Sequence, residues 1–304
     1  MDRPHHESDP RVAALLARCW FPSAGTAVNC AVSGGADSLA LLVLAVAAGC
    51  SVTAIHVDHG LRADSAGEAD IVASASARFG AQFRAERVEL AAGPNLEARA
   101  REARYAALPG DVLVGHTADD QAETILINML RGAGVGGLTG MRRQGSTSGV
   151  RRPLLDLRRH ETQGLCAALE LVAIDDPMNH DPSFTRVRVR HELLPLLDDI
   201  ATRDLVPLLC RQGALAADAV DALDALTESL DASDARALAA APVALARWAA
   251  RRWLRAQTGS DHPPSATAID RVLAVARCES VATEIEGGWR VARSHNRLHV
   301  TTGR

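Results

Sequence analysis

Ser33-Gly34-Gly35-Ala36-Asp37-Ser38 joins two apolar runs, Val28 to Val32 and Leu39 to Ala48. The first run suits a buried strand and the second a buried helix. Between such elements a pair of glycines can take positive φ and lets the backbone approach a ligand closely. The helix start adds free N–H groups and the positive end of a dipole. Together they form a cradle for an anion, most naturally a phosphate. The familiar lysine-bearing phosphate loop is excluded, because the 33 basic side chains counted as Lys plus Arg are all Arg. Schiff-base chemistry on a lysine of this chain is excluded for the same reason.

A second group of chemically active side chains is His116-Thr117-Ala118-Asp119-Asp120-Gln121-Ala122-Glu123. Asp120 and Glu123 stand three apart, so on a helix they share one face. Two carboxylates there either complement the helix dipole or form a cation site, for magnesium or for a substrate ammonium. Asp119 is expected to cap the helix that follows.

The elements that must position these groups alternate. After a first helix over 11–20 and the opening strand and helix, Ser51 to Val57 reads as a strand ending in Asp58-His59. The pattern then runs helix 64–79, strand 82–90, helix 95–108, strand 111–115, helix 162–169 and a fifth strand at 170–174. This alternation predicts an α/β fold, a doubly wound parallel five-stranded sheet with both faces covered. Ligands in such sheets bind beyond the C-terminal strand ends, where the loop, His59 and His116 all fall. The domains are expected at 1–198 and 199–304. The second is smaller and mainly helical, and two alternating runs, Trp289 to Arg293 and Leu298 to Thr301, close it as a β-hairpin.

With 47% hydrophobic and 23% charged residues the composition is that of a soluble globular protein. No apolar run reaches the roughly 20 residues of a membrane span. The first ten residues have no basic-then-apolar leader, so the expected location is cytoplasmic, with no membrane partner. The six cysteines never form C-x-x-C, which argues for buried free thiols rather than a metal or iron–sulfur site. A net charge of −4 leaves any nucleic-acid contact to local arginine clusters. Two stand out. Arg142, Arg143, Arg151, Arg152, Arg158 and Arg159 read as a solvated loop or as a phosphate clamp. Arg247, Arg251 and Arg255 form a helical stripe, in a stretch from 241 with ten Arg against five Asp plus Glu.

The S-G-G-x-D-S loop resembles that of the N-type ATP pyrophosphatases, and further segments narrow the resemblance to the tRNA(Ile)-lysidine synthetase family. These are Val57 to Arg62; His116 to Thr124; Arg131-Gly132; Gly136 to Met141; Arg152 to Leu155; Asp176-Pro177; Asn179; and Arg186 to Pro195. They run in order over most of residues 28–198. One departure is Val187, where the family usually has Asn.

The resemblance implies an ATP-dependent ligase. It adenylates the C2 carbonyl oxygen of the wobble cytidine in the isoleucine tRNA with a CAU anticodon, then lets free lysine displace AMP to give lysidine. ATP and Mg2+ are the implied cofactors. Ser33, Gly34, Gly35, Ala36, Asp37, Ser38 and His59 are the expected nucleotide contacts, with Asp37 also on the metal. Asp37, His116, Asp120, Glu123, Arg186 and Arg190 are the expected catalytic set. The basic stripe is expected to meet tRNA phosphates, and a homodimer is compatible with the resemblance. The family's further C-terminal domain is expected to be absent or reduced. The rival readings are a tRNA thiolase on the same loop, which generally needs cysteines, and a non-catalytic nucleotide-binding module.

Overall fold

The computed structural model describes residues 10–58, 65–88, 99, 103, 105–145, 149–260 and 264–302. Two compact units are present, Met1–Leu215 and Ala216–Arg304.

In the first unit the order is Pro10–Leu16 (α1), Ala27–Ala31 (β1), Ala36–Ala47 (α2), Ser51–Asp58 (β2), Ser65–Phe79 (α3) and Gln82–Arg87 (β3). Ala118–Leu130 (α4) and Arg159–Ala168 (α5) follow. Helix α2 organises the core. Leu39, Leu41, Leu42, Val43 and Leu44 have no exposed surface, and a helix apolar on every side must be enclosed on every side. The same cluster takes in Val12 and Leu15 of α1, Val52 and Ala54 of β2, Val72 and Phe79 of α3, and Leu165 of α5.

β1, β2 and β3 form a parallel ladder in that order, with Val28 opposite Val52 and Ala54 opposite Phe83. On the other side of β1, Leu113 makes an isolated parallel bridge to Cys30, and Arg151 makes one to Leu113. The chain therefore leaves β1 first one way along the sheet and later the other. The switch point lies between β1 and the Leu113 segment, where Ser33 to Ser38 and Gly115 to Asp120 emerge.

The continuous ladder has three strands, and the expected fifth strand at 170–174 does not form. Glu170 takes a left-handed φ of 52°, Val172 is mostly exposed, and Ile174 N–H donates to Gly34 O at 3.0 Å. Arg151 has the outer place in the sheet instead. The expected helix over 95–108 lies largely outside the described residues, although 105–107 are helical. Downstream, the helical turns Thr185–Arg188, Val189–Leu193 and Leu194–Ala201 run into one another, the middle one a π-turn.

The helix Val206–Leu226 (α6) runs through the division between the units. In the second unit Ala235–Ala240 (α7), Val243–Thr258 (α8) and Ala266–Ala276 (α9) pack around Leu238, Ala250, Leu254, Ile269 and Val272. The closing hairpin gains a third strand. Ala282–Ile285 (β4) pairs antiparallel with Trp289–Ser294 (β5), which pairs with Arg297–Thr302 (β6). Among the described residues no helix is long and apolar enough to cross a membrane.

Candidate active site

The loop after β1 is tied by its own hydroxyls. Ser33 N–H donates to Ser38 Oγ at 3.1 Å, and Ser38 Oγ donates to Gly35 O at 2.8 Å. Gly34 holds φ at +90°, which side chains avoid, and a Cβ there would collide with Ile174 Cδ1. Gly35 is different. Its φ is −70° and an added Cβ would meet only ordinary contacts, at 3.7 Å or beyond. The amides of Gly34, Gly35, Ala36 and Asp37 find no acceptor among the described residues. Four free donors at the start of a buried helix are what an anion requires. Gly115 closes the far side, since a Cβ there would lie 2.6 Å from Asp37 O.

Asp37 points from the first turn of α2 toward α5, where Thr162 Oγ1 lies against its Oδ1. Burial pushes its carboxyl up to about 6. The Thr162 hydroxyl pulls it down, the Asp120 charge adds to the rise, and Arg159 and Arg190 oppose it.

Asp120 and Glu123 come together on α4 as expected, and both are buried. Asp120 Oδ2 accepts from Thr117 N–H at 2.9 Å and from Thr117 Oγ1 at 3.0 Å, fixing the helix start. Its Oδ1 accepts from Arg159 Nη2 at 3.0 Å, and Arg190 Nη2 lies 3.8 Å away. Burial alone would raise Asp120, but Arg159, His116, the Thr117 amide and Arg186 outweigh it, and its carboxyl sits below the usual range.

Glu123 has 0% of its side chain exposed and is met by three guanidiniums: Arg159 at 3.1 Å, Arg190 at 2.7 Å and Arg186 at 3.2 Å. Arg186 Nη2 also donates to Thr124 Oγ1 at 2.8 Å, while its buried Nε, close to Glu123, lacks an aligned acceptor. The π-turn region delivers Arg190 and its neighbour Arg186. Val187, standing where Asn was expected, is buried.

Asp119 does not cap its own helix. It accepts from Arg159 N–H at 2.7 Å and from Arg158 Nε and Nη2, both at 3.2 Å, so it caps α5 from across the site. His116 Nδ1 lies 3.2 Å from Arg152 Nε. A guanidinium can only donate, so in this contact Nδ1 is the acceptor. His59 lies outside the described residues.

Sequence reasoning placed Arg159 only within an arginine cluster, read as a solvated loop or a phosphate clamp, and did not single out Thr162. Arg159 is central: besides its contacts to Asp120 and Glu123, its Nε lies 3.7 Å from Asp37 Oδ2. The other arginines of that cluster are also largely committed within the fold. Arg158 pairs with Asp119 and Asp204, Arg143 pairs with Asp156, and Arg151 lies over the Trp20 ring at 5.8 Å.

The site thus offers an anion cradle, three carboxylates and three guanidiniums at one switch point. Among the described residues no group of three or more His, Cys, Asp and Glu side chains could hold a metal unaided. The thiols nearest it are poor nucleophiles, burial pushing Cys166 and Cys210 each up to about 11.

Comparison with known proteins gives a consistent result. The PP-loop domain family matches residues 5–197. A tRNA(Ile)-lysidine synthase of Nocardia farcinica is 44% identical over 253 residues, 77% of this chain and 77% of that one. The synthase of the same name from Corynebacterium glutamicum is 36% identical over 284 residues, 90% of each chain. Among solved structures, the U34-tRNA thiolase NcsA of Methanococcus maripaludis, with its 4Fe-4S cluster, shares the fold. Its TM-score is 0.52 at 18% identity, covering 67% of this chain and 76% of that one.

Proposed function

The chain belongs to the tRNA(Ile)-lysidine synthase family and carries a PP-loop domain over residues 5–197. From that premise we infer that it is a carbon–nitrogen ligase that uses ATP to join free lysine to tRNA(Ile), at the wobble cytidine of its CAU anticodon, in the cytoplasm. In the first step the cytidine C2 carbonyl oxygen attacks the α-phosphorus of ATP, the bond to the bridging oxygen breaks, and pyrophosphate leaves. In the second the lysine amine attacks C2, AMP departs with the former carbonyl oxygen, and the amine gives up a proton.

The four free amides from Gly34 to Asp37 would receive phosphate oxygens, stabilising the charge that develops as pyrophosphate leaves. Asp37 suits magnesium, which takes one or two carboxylates and completes its shell with substrate phosphates and water. Bound there, the ion would neutralise the leaving group. Asp120 and Glu123 are assigned to the lysine ammonium, because a cation leaving water must be met by carboxylates. Arg186 and Arg190 hold Glu123 in place and keep positive charge beside the reacting phosphate. His116, its Nδ1 held by Arg152 Nε at 3.2 Å, would orient the cytidine or its phosphate.

The observation that carries the reading is the meeting of Asp37, Asp120 and Glu123 with Arg159, Arg186 and Arg190 beside the loop. A thiolase is disfavoured by the desolvated thiols of Cys166 and Cys210. The deciding experiment incubates the protein with ATP, labelled lysine and either the CAU isoleucine tRNA or methionine tRNA. Label is expected on the isoleucine tRNA alone. Label on neither tRNA, with ATP consumed, would overturn the assignment.

A further inference from the structure

Arg159 Nη2 lies 3.0 Å from Asp120 Oδ1 and 3.1 Å from Glu123 Oε1. One nitrogen therefore fills the fork between the two carboxylates assigned to the lysine ammonium. An ammonium would need the same place, since charge-assisted N–H to oxygen contacts run at about 2.7–2.9 Å. Two cationic nitrogens cannot share it. The balance of charge points the same way, because Asp37, Asp120 and Glu123 already face Arg159, Arg186 and Arg190. A fourth cation finds no carboxylate to spare.

Arg159 also has somewhere to go. Its Nε lies 3.7 Å from Asp37 Oδ2, at the loop that offers free amides to phosphate. Its main chain is fixed, the N–H held by Asp119 at 2.7 Å, so only the side chain has to swing. A triphosphate in the cradle would present charged oxygens that a guanidinium meets two at a time.

We propose that Arg159 is a positioning residue that occupies the amine site as an internal cation and leaves it for the nucleotide phosphates, so that lysine binds tightly only after ATP. This rests on the assignment of Asp120 and Glu123 to the amine. It has a thermodynamic signature: the nucleotide strengthens lysine binding, and lysine strengthens nucleotide binding by the same factor.

The test is calorimetric titration of free lysine into the whole chain, with and without an ATP analogue that resists cleavage between the α- and β-phosphates. In the unaltered protein the analogue should tighten lysine binding about fivefold or more, within the usual range of coupling between sites. In Arg159→Gln, lysine should bind without nucleotide more tightly than it does to the unaltered protein, and the analogue should add almost nothing. In steady state KM for lysine falls and KM for ATP rises. Simple structural damage would not tighten lysine binding.

If Arg159→Gln keeps the full nucleotide effect, or gains no lysine affinity, Arg159 is a fixed structural partner and the proposal is overturned. Should that variant lose its cooperative melt, Arg159→Lys takes its place. A shorter cation that fits the fork poorly should cut the nucleotide effect, and an unchanged effect would overturn the proposal. Asp120→Asn separates the two layers. If it weakens lysine binding while Arg159→Gln leaves the coupling intact, only the proposal fails. If Asp120→Asn leaves lysine binding untouched, the amine site itself is wrongly assigned and both fall.

Discussion

In the first unit Glu123 exposes 0% of its side chain and faces Arg159, Arg186 and Arg190; in the second, Arg247 and Asp270 meet with 53% and 48% of their side chains in water. Arg252 pairs with Asp224 and Arg297 with Asp231 in the same exposed manner. Exposed pairs contribute about 0–1 kcal/mol each, and solvent and salt screen them. A buried network is a different commitment. Desolvating its charges costs several kcal/mol per ion, and apolar side chains of similar volume often hold a fold together as well. Charge buried at the mouth of a phosphate loop therefore speaks for chemistry, whereas charge on the second unit speaks for a wet surface that can exchange partners.

The largest expected effect tests that contrast directly. Glu123→Leu leaves three guanidiniums around an apolar side chain. It should lower stability by about 3 kcal/mol and reduce ligation about 100-fold or more. Asp270→Ala in the second unit should shift stability by no more than about 0.5 kcal/mol. Chemical denaturation of both variants checks the pair, and equal losses would erase the distinction between the regions.

Next in size is the loop. Because Gly35 has φ −70° and room for a Cβ, Gly35→Val should fold while its side chain fills the cradle and abolishes ATP binding. Gly34→Val, at φ +90°, should lose stability as well. Nucleotide titrations with melting curves separate the two. A well-folded Gly35→Val with ordinary ATP affinity would remove the loop from the phosphate site.

A smaller effect follows from Asp37. Its folded carboxyl is raised to about 6 from an ordinary value near 3.9. Between those two values the folded state holds the proton more firmly than the unfolded chain does. Stability from this group therefore falls as pH rises from about 4 to about 6, and the cost persists above. Cation binding runs the other way, because it needs the ionised form and weakens as pH drops below about 6. Asp37→Asn should flatten both profiles. If it leaves the pH dependence of magnesium–ATP binding unchanged, Asp37 is not the metal-facing carboxylate.

Much of the site could be read from sequence because its signals are local. Two glycines between apolar runs, and carboxylates three apart after a strand, need no knowledge of the rest of the chain. Thr162 and the carboxylate partners of Arg159 were hidden because the contacts are remote, Thr162 meeting Asp37 across 125 positions and Arg159, named only as one of an arginine cluster, meeting Glu123 across 36. Asp119 misled for the same reason: its best partner is the amide of Arg159, not its own helix start. The strand expected at 170–174 failed because its apolar residues have no neighbouring strand, and Val172 is left in solvent.

The smallest effect concerns the second unit's surface. On α8 the buried face is Ala246, Ala249, Ala250 and Leu254, which leaves Arg247 and Arg255 exposed and Arg251 half-buried. If this stripe meets tRNA phosphates, each contact it makes contributes about 0.9 to the slope of log affinity against log salt. The three arginines should not count equally. Arg247 Nε and Nη2 are already taken by Asp270, at 2.7 and 3.1 Å, so a phosphate must compete with that carboxylate for its guanidinium. Replacing Arg251 and Arg255 together should therefore flatten the slope by about two units, and Arg247→Ala by less than one. Asp270→Asn is the sharper probe, since it adds no contact of its own. By releasing Arg247 it should steepen the salt dependence and tighten tRNA binding slightly, without changing lysine or ATP affinity. A slope that none of these variants moves would make the stripe a solvated face and require the tRNA to be held elsewhere.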